Sequence, residues 1–342
     1  MQRSLARALA ASVVALIGTL GWSTAARAAD SGSKISQTTT VGVHNTYDPA
    51  TFPYLAQALD QNPGLIEIDV WPDVITREWK VSHSNPLGNV NNCVAATTAA
   101  QLYSGAANKN LEYCLDDIRL WLGAHPTAGP LIVKLELKTG FSSRTKQGPA
   151  QLDAAIAAHL GAAVFKPADL LGDHASLDAA AKANAWPTRG QLAGKVIFEV
   201  IPGTVEEGNP TDKLWTDTEY AQYLNGLAGA GTLTKAQIFP SVHNAQSGDP
   251  RSRYSDTTLR PWFVVFDGDA SAYVNGIDTA WYDTNHYLLV MTDVQNISPA
   301  VPAGDTAAAA ARVALVAGKH ASVASSDWSA MPSVDALVID RG

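Results

Sequence analysis

The chain has 342 residues, 46% of them hydrophobic, and a formal net charge of −8. That length suits one large α/β barrel or two ordinary domains. An acidic balance without any Lys/Arg cluster argues against a nucleic-acid partner and against strong attraction to anionic membranes, while it suits a hard cation.

The chain opens on Arg3 and Arg7, an apolar run from Ala8 to Gly21, and the small-x-small pattern Ala26-Arg27-Ala28. The run is short for a bilayer span, and the cleavage pattern predicts a signal peptide over 1–28 with one domain over 29–342. An uncleaved anchor is the alternative, against which stands polar Asp30-Ser31-Gly32-Ser33. The mature chain would lose Arg3, Arg7 and Arg27, become more acidic, and be secreted or periplasmic.

Short apolar runs then alternate with helical patterns, which predicts a parallel sheet with crossover helices. Strands are expected at 40–43, 65–70, 131–137, 195–200, 237–240, 262–266, 287–292 and 321–325. Helices are expected at 54–58, 115–124, 151–160, 218–227 and 306–317. Asp153 and Asp305 stand where they could cap two of them. The count of eight strands predicts an α/β fold: a single TIM-like (β/α)8 barrel, with its active site at the C-terminal rim of the strands. Cys93 and Cys114 predict a disulfide in an oxidising compartment, two buried thiols being the alternative.

Polar residues gather at the strand ends. In Glu67-Ile68-Asp69 the two carboxylates share one face of a strand, so something positive must lie between them. Glu136 adds a third carboxylate, flanked by Lys134 and Lys138 at the same two-residue spacing. Two charge partners are open: a divalent cation, or the two lysines alone. With the Asn45 amide the acids make an oxygen-only shell, which suits calcium or magnesium. His44 and His83, each followed by a polar turn, then serve as unligated acid, base or donor groups. His125, His159, His174, His243, His286 and His320 lack such company and read as structural or solvated. Asp267, Asp293 and Asp327 read first as helix caps.

Gly42-Val43-His44-Asn45-Thr46-Tyr47 resembles the first histidine motif of phosphatidylinositol-specific phospholipases C. Ile66 to Trp71, Lys80 to His83 and Pro130 to Glu136 resemble, in family order, its acidic strand, its second histidine segment and its metal-binding glutamate strand. The bacterial secreted, calcium-dependent branch is the most similar group, and the Cys93/Cys114 insert is similar to it as well. The resemblance implies Ca2+ held by Asn45, Glu67, Asp69 and Glu136. It implies His44 on the transition state, His83 as the acid for the leaving oxygen, and Glu67 or Glu136 as proton acceptor for the attacking inositol 2-hydroxyl. The product would be a cyclic inositol phosphate. Glu199 and Ile201 stand where the eukaryotic enzymes carry ring-phosphate lysines, which favours plain phosphatidylinositol over polyphosphoinositides. Lys138, Trp281 and Tyr282 are candidate substrate contacts. The two aromatics, in a predicted loop, could touch a membrane surface or pack in the core. A monomer is expected. The rival readings are a glycerophosphodiester phosphodiesterase, which normally has Arg where this chain has Asn45, and an inactive barrel that binds a lipid headgroup.

Overall fold

The computed structural model describes residues 31–342, so the expected signal peptide lies outside the described residues. Ten strands form one sheet: β1 (Thr38–Val43), β2 (Leu65–Pro72), β3 (Trp79–Val81), β4 (Leu131–Leu137), β5 (Val196–Pro202), β6 (Ile238–His243), β7 (Val265–Asp269), β8 (Leu288–Thr292), β9 (Val323–Ser326) and β10 (Val338–Asp340). Eight of them pair in parallel in the order β1-β2-β4-β5-β6-β7-β8-β9, and the pairing of β9 with β1 closes the barrel. These are the eight strands expected from the sequence. The two additions are antiparallel: β3 folds back on β2, and β10 lies along β1.

Side-chain alternation divides each strand between two environments. Ile66, Ile68 and Val70 of β2, like Val133, Leu135 and Leu137 of β4, join the apolar core. Their neighbours point into the barrel, where register stacks them in layers: Glu67 beside Lys134 beside Glu199, and above them Asp69 beside Glu136 beside Ile201. Acids and lysines thus fill the barrel interior because the apolar half of each strand is already committed to the helices outside.

All five expected helices are present, at Leu55–Leu59, Leu111–Ala124, Pro149–Leu160, Thr216–Gly229 and Thr306–Ala317. Asp305 caps the last of them, accepting from the Ala308 N–H at 3.0 Å, a contribution of about 1 kcal/mol. Asp153 is not a cap. Its helix starts earlier, at Pro149, and the carboxylate is buried inside, accepting from the Tyr220 hydroxyl at 2.6 Å and the Gln237 N–H at 3.1 Å. Cys93 and Cys114 form a disulfide that ties the loop after β3 to the helix Leu111–Ala124. Trp281 and Tyr282 lie in a short helix, Ala280–Thr284, and not in a loop. Tyr282 is fully buried, and Trp281 packs against Phe266, Tyr287 and the Arg251 guanidinium. This helix leads into the start of β8, away from the C-terminal rim, so neither ring is placed to touch substrate.

Candidate active site and metal centre

His44 is the first residue after β1, its N–H held by the Ser326 carbonyl at 2.9 Å. Asn45 follows at φ +50°, a left-handed turn that asparagine tolerates. Its amide oxygen accepts from the buried Tyr47 hydroxyl at 2.9 Å. The His44 ring spans two carboxylates: Nδ1 donates to Asp327 at 2.7 Å, and Nε2 lies 3.1 Å from Glu67 Oε1. Burial opposes charge on this ring, but Glu67 and Asp327 outweigh it and push the imidazole up to about 11.

Glu67, Asp69 and Glu136 bring one oxygen each to within 4.8 Å of one another. All three are buried. Their charges are divided between two lysines. Lys134 lies 3.2 Å from Glu67 Oε2 and 3.0 Å from Asp267 Oδ2. Lys138 lies 2.7 Å from Glu136 Oε1 and 3.1 Å from Asp69 Oδ2. Burial would raise the Glu67 carboxyl, yet Lys134 and His44 hold it well below the usual range. Asp69 goes the other way: burial, then Glu136 and Glu67, push it up to about 7. Apart from the Lys138 ammonium, no hydrogen-bond donor is recorded on the two buried Asp69 oxygens among the described residues. Glu136 Oε1 is also held by the Thr204 N–H at 3.0 Å. That contact needs Gly203, whose added Cβ would lie 2.5 Å from Lys138 Cα.

This donor set fits a hard divalent cation. Three carboxylates and an amide carbonyl are the oxygen ligands calcium takes, and Asp69, with Lys138 on one oxygen, keeps coordination to spare on the other. Glu67, Asp69 and Glu136 form the cluster, and Asn45 stands on the adjoining strand end. The lysine-only alternative is present as well, since both ammonium groups already touch the cluster. Lys138 therefore sits among the acids and not at a separate substrate subsite.

His83 is exposed, two residues beyond β3, where the neighbouring Ser82 N–H reaches the Asp69 carbonyl at 3.4 Å. A cavity of about 140 Å3 opens at the barrel mouth. It is lined by His44, Glu67, Lys134 and Glu136, and across from them by His243, Asp267, Thr292 and Asp293.

Several residues in this wall and behind it escaped the sequence reading. Asp267 is fully buried in the Lys134 pair; the next helix is capped by Asp269 instead. Asp327 holds His44, and its other oxygen accepts from Gln295 at 2.8 Å. Asp293, at φ +57°, accepts from the same Gln295 amide at 3.1 Å and makes no helix cap. His243 is no solvated bystander: it closes β6 on the cavity wall. A signal for it was present, because Val242-His243-Asn244 repeats Val43-His44-Asn45, and both asparagines adopt positive φ.

This fold agrees with the comparisons. The family described as phosphoinositide phospholipase C, Ca2+-dependent, matches residues 100–236. The Ca2+-dependent phosphatidylinositol-specific phospholipase C of Streptomyces antibioticus is 50% identical, with a TM-score of 0.88 over 91% of this chain and 99% of that one. The calcium-dependent phosphoinositol-specific phospholipase C of a Pseudomonas species, described with myo-inositol, is 19% identical and shares the fold, at a TM-score of 0.68 over 90% of this chain and 96% of that one. No protein of curated function matches. The chain belongs to the calcium-dependent phosphoinositide phospholipase C family.

Proposed function

We propose that this chain is an exported phosphodiesterase that cleaves phosphatidylinositol to diacylglycerol and a cyclic inositol phosphate. The observation that carries the reading is the Glu67, Asp69 and Glu136 cluster set directly beside His44, in a chain half identical to a phospholipase of that specificity. Asn45, Glu67, Asp69 and Glu136 would hold calcium. When bound, calcium supplies neutralisation of phosphoryl charge and acidification of a nearby hydroxyl.

The chain's own residues account for the proton movements. The inositol 2-hydroxyl attacks phosphorus, its proton passing to the Glu67 carboxylate as the new O–P bond forms. His44, oriented through Nδ1 by Asp327, donates from Nε2 to a phosphoryl oxygen as charge builds there. His83 gives a proton to the glycerol oxygen as its bond to phosphorus breaks. Glu199 is buried beside Lys134 and near Asp267, an acid that would repel a ring phosphate, which favours plain phosphatidylinositol. Membrane contact would rest on the tip of the β2–β3 hairpin, which stands above the rim, where Val74 and Ile75 are 63% and 77% exposed, and on Leu87 at 78%. Export rests on the leader over 1–28, a single domain over 29–342 is retained, and a monomer is the expected state. Among the described residues no helix is long and apolar enough to cross a membrane.

The test follows release of water-soluble phosphate ester from phosphatidylinositol vesicles, with calcium and with excess chelator, glycerophosphocholine being assayed in parallel. Calcium-dependent release that Glu67→Gln abolishes is expected. Hydrolysis of glycerophosphocholine alone would transfer the chain to the other phosphodiesterase reading. Chelator-resistant release would make Lys134 and Lys138 the charge partners. Ile75→Asp should slow vesicle cleavage while sparing a soluble inositol phosphodiester.

A further inference from the structure

His243 has the properties of a ligand-binding group that the proposed chemistry leaves idle. Counting around the barrel from β1, β6 is the fifth strand and stands diametrically across the mouth. His44 and His243 therefore face one cavity from opposite walls, each at the end of its strand and each followed by an asparagine of positive φ. The reacting groups all lie on one side: His44 after β1, Glu67 and Asp69 on β2, Glu136 on β4. A ring whose phosphate is engaged there must extend its remaining hydroxyls toward the far wall.

The His243 ring is four-fifths buried, and its Nδ1 is a buried nitrogen without a hydrogen-bond partner among the described residues. Nδ1 lies 3.5 Å from Asp267 Oδ1, and Nε2 lies 3.6 Å from Glu207 Oε1. Those carboxylates steer the ring without satisfying it, and a buried polar group is costly to leave unpaired. Asp267 is fixed in turn by Lys134, the residue that also holds Glu67. One ammonium thus ties the orientation of the far wall to that of the reacting wall. The surroundings also select the ligand. Two carboxylates beside the imidazole repel a phosphate, whereas a hydroxyl both donates and accepts and carries no charge.

We propose that His243 grips an inositol hydroxyl remote from the phosphate and so determines how the ring is seated for attack. This inference rests on the proposed function. Its experiment measures KM and kcat for wild type, His243→Ala and His243→Gln on phosphatidylinositol and on analogues that each lack one ring hydroxyl other than the attacking one. Calcium-induced thermal stabilisation is recorded for all three proteins. His243→Ala should raise KM about 10- to 100-fold with a smaller change in kcat, and His243→Gln should recover part of it, since an amide can still bond a hydroxyl. For one analogue the wild type should lose about the same factor, while His243→Ala loses nothing further. That analogue identifies the hydroxyl held. Equal calcium stabilisation across the proteins is the expected sign of an intact fold and metal cluster.

Penalties that multiply for every analogue would overturn the assignment, because a merely structural histidine produces that pattern. An unchanged KM in His243→Ala would overturn it as well, with the proposed function intact. A wild type that leaves phosphatidylinositol uncut would remove both readings together.

Discussion

Lys134→Met tests the electrostatic logic of the barrel interior. Lys134 is 3% exposed and pairs with Glu67 at 3.2 Å and Asp267 at 3.0 Å, with Glu199 beside it in the same layer. Methionine keeps much of the volume and removes the charge, leaving Glu67 only the His44 ring and Asp267 only the His243 ring beside it. Breaking a buried ion pair by deleting one partner costs about 3–5 kcal/mol. At about 2 °C per kcal/mol for a domain of this size, the melting temperature in chelator should fall by about 6–10 °C at pH 7. The pH dependence gives a second reading. In the wild type, Glu67 and Asp267 are held below their unfolded range, with burial opposing and Lys134 winning. Their stabilisation is therefore present above the unfolded carboxylate range and lost as pH falls through the depressed folded values. In the variant the same acids are buried with a histidine ring but no lysine beside each, so they protonate more readily and the deficit should shrink as pH is lowered toward 5. Calorimetric melting at pH 7 and pH 5 decides it. A deficit near 1 kcal/mol or less, or one that grows in acid, would refute the reasoning.

Three further outcomes follow from the same structure. Asp327→Asn removes the carboxylate that orients His44 at 2.7 Å; kcat on phosphatidylinositol should fall on the order of 100-fold, with calcium affinity unchanged by calorimetric titration. Replacing both Cys93 and Cys114 by alanine opens a loop whose ends are 21 residues apart; the chemical denaturation midpoint should drop by the equivalent of about 3 kcal/mol, and adding reductant should then have no further effect. Burial pushes Asp153 up to about 7, against the Tyr220 and Gln237 donors. The native state keeps that proton longer than the unfolded chain, so stability is lost as pH rises from the unfolded carboxylate range to about 7. Asp153→Asn should narrow the gap between urea midpoints at pH 5 and pH 8, and an unchanged gap would exclude Asp153 as the source.

Local sequence carried much of the barrel. The eight parallel strands were legible because each is a short apolar run between turn residues, and alternation alone put Glu67 with Asp69, and Lys134 with Glu136 and Lys138, on the inner face. β3 and β10 were missed: each has three residues, too few for a period to register. Trp281 and Tyr282 were misplaced because a five-residue helix between turns reads as a loop, and an aromatic pair reads equally as rim or core.

The two halves of the site differ in the same way. His44, Asn45, Glu67, Asp69 and Glu136 lie on the first three barrel strands, where motif and strand period coincide, so residue order alone assembled the acidic cluster. Asp267 lies within β7, His243 ends β6 and Asp327 follows β9, and an acid near a strand end is as well explained by capping a helix. Their roles depend on barrel closure: β9 must return to β1 before Asp327 can meet His44, and β6 must stand opposite β1 before His243 can face the cavity. By itself the sequence determined which side chains point inward, because that is a property of the strand period. Only the tertiary structure decided which of them meet, because those contacts join residues as far apart as His44 and Asp327, and the closed barrel alone brings them within reach.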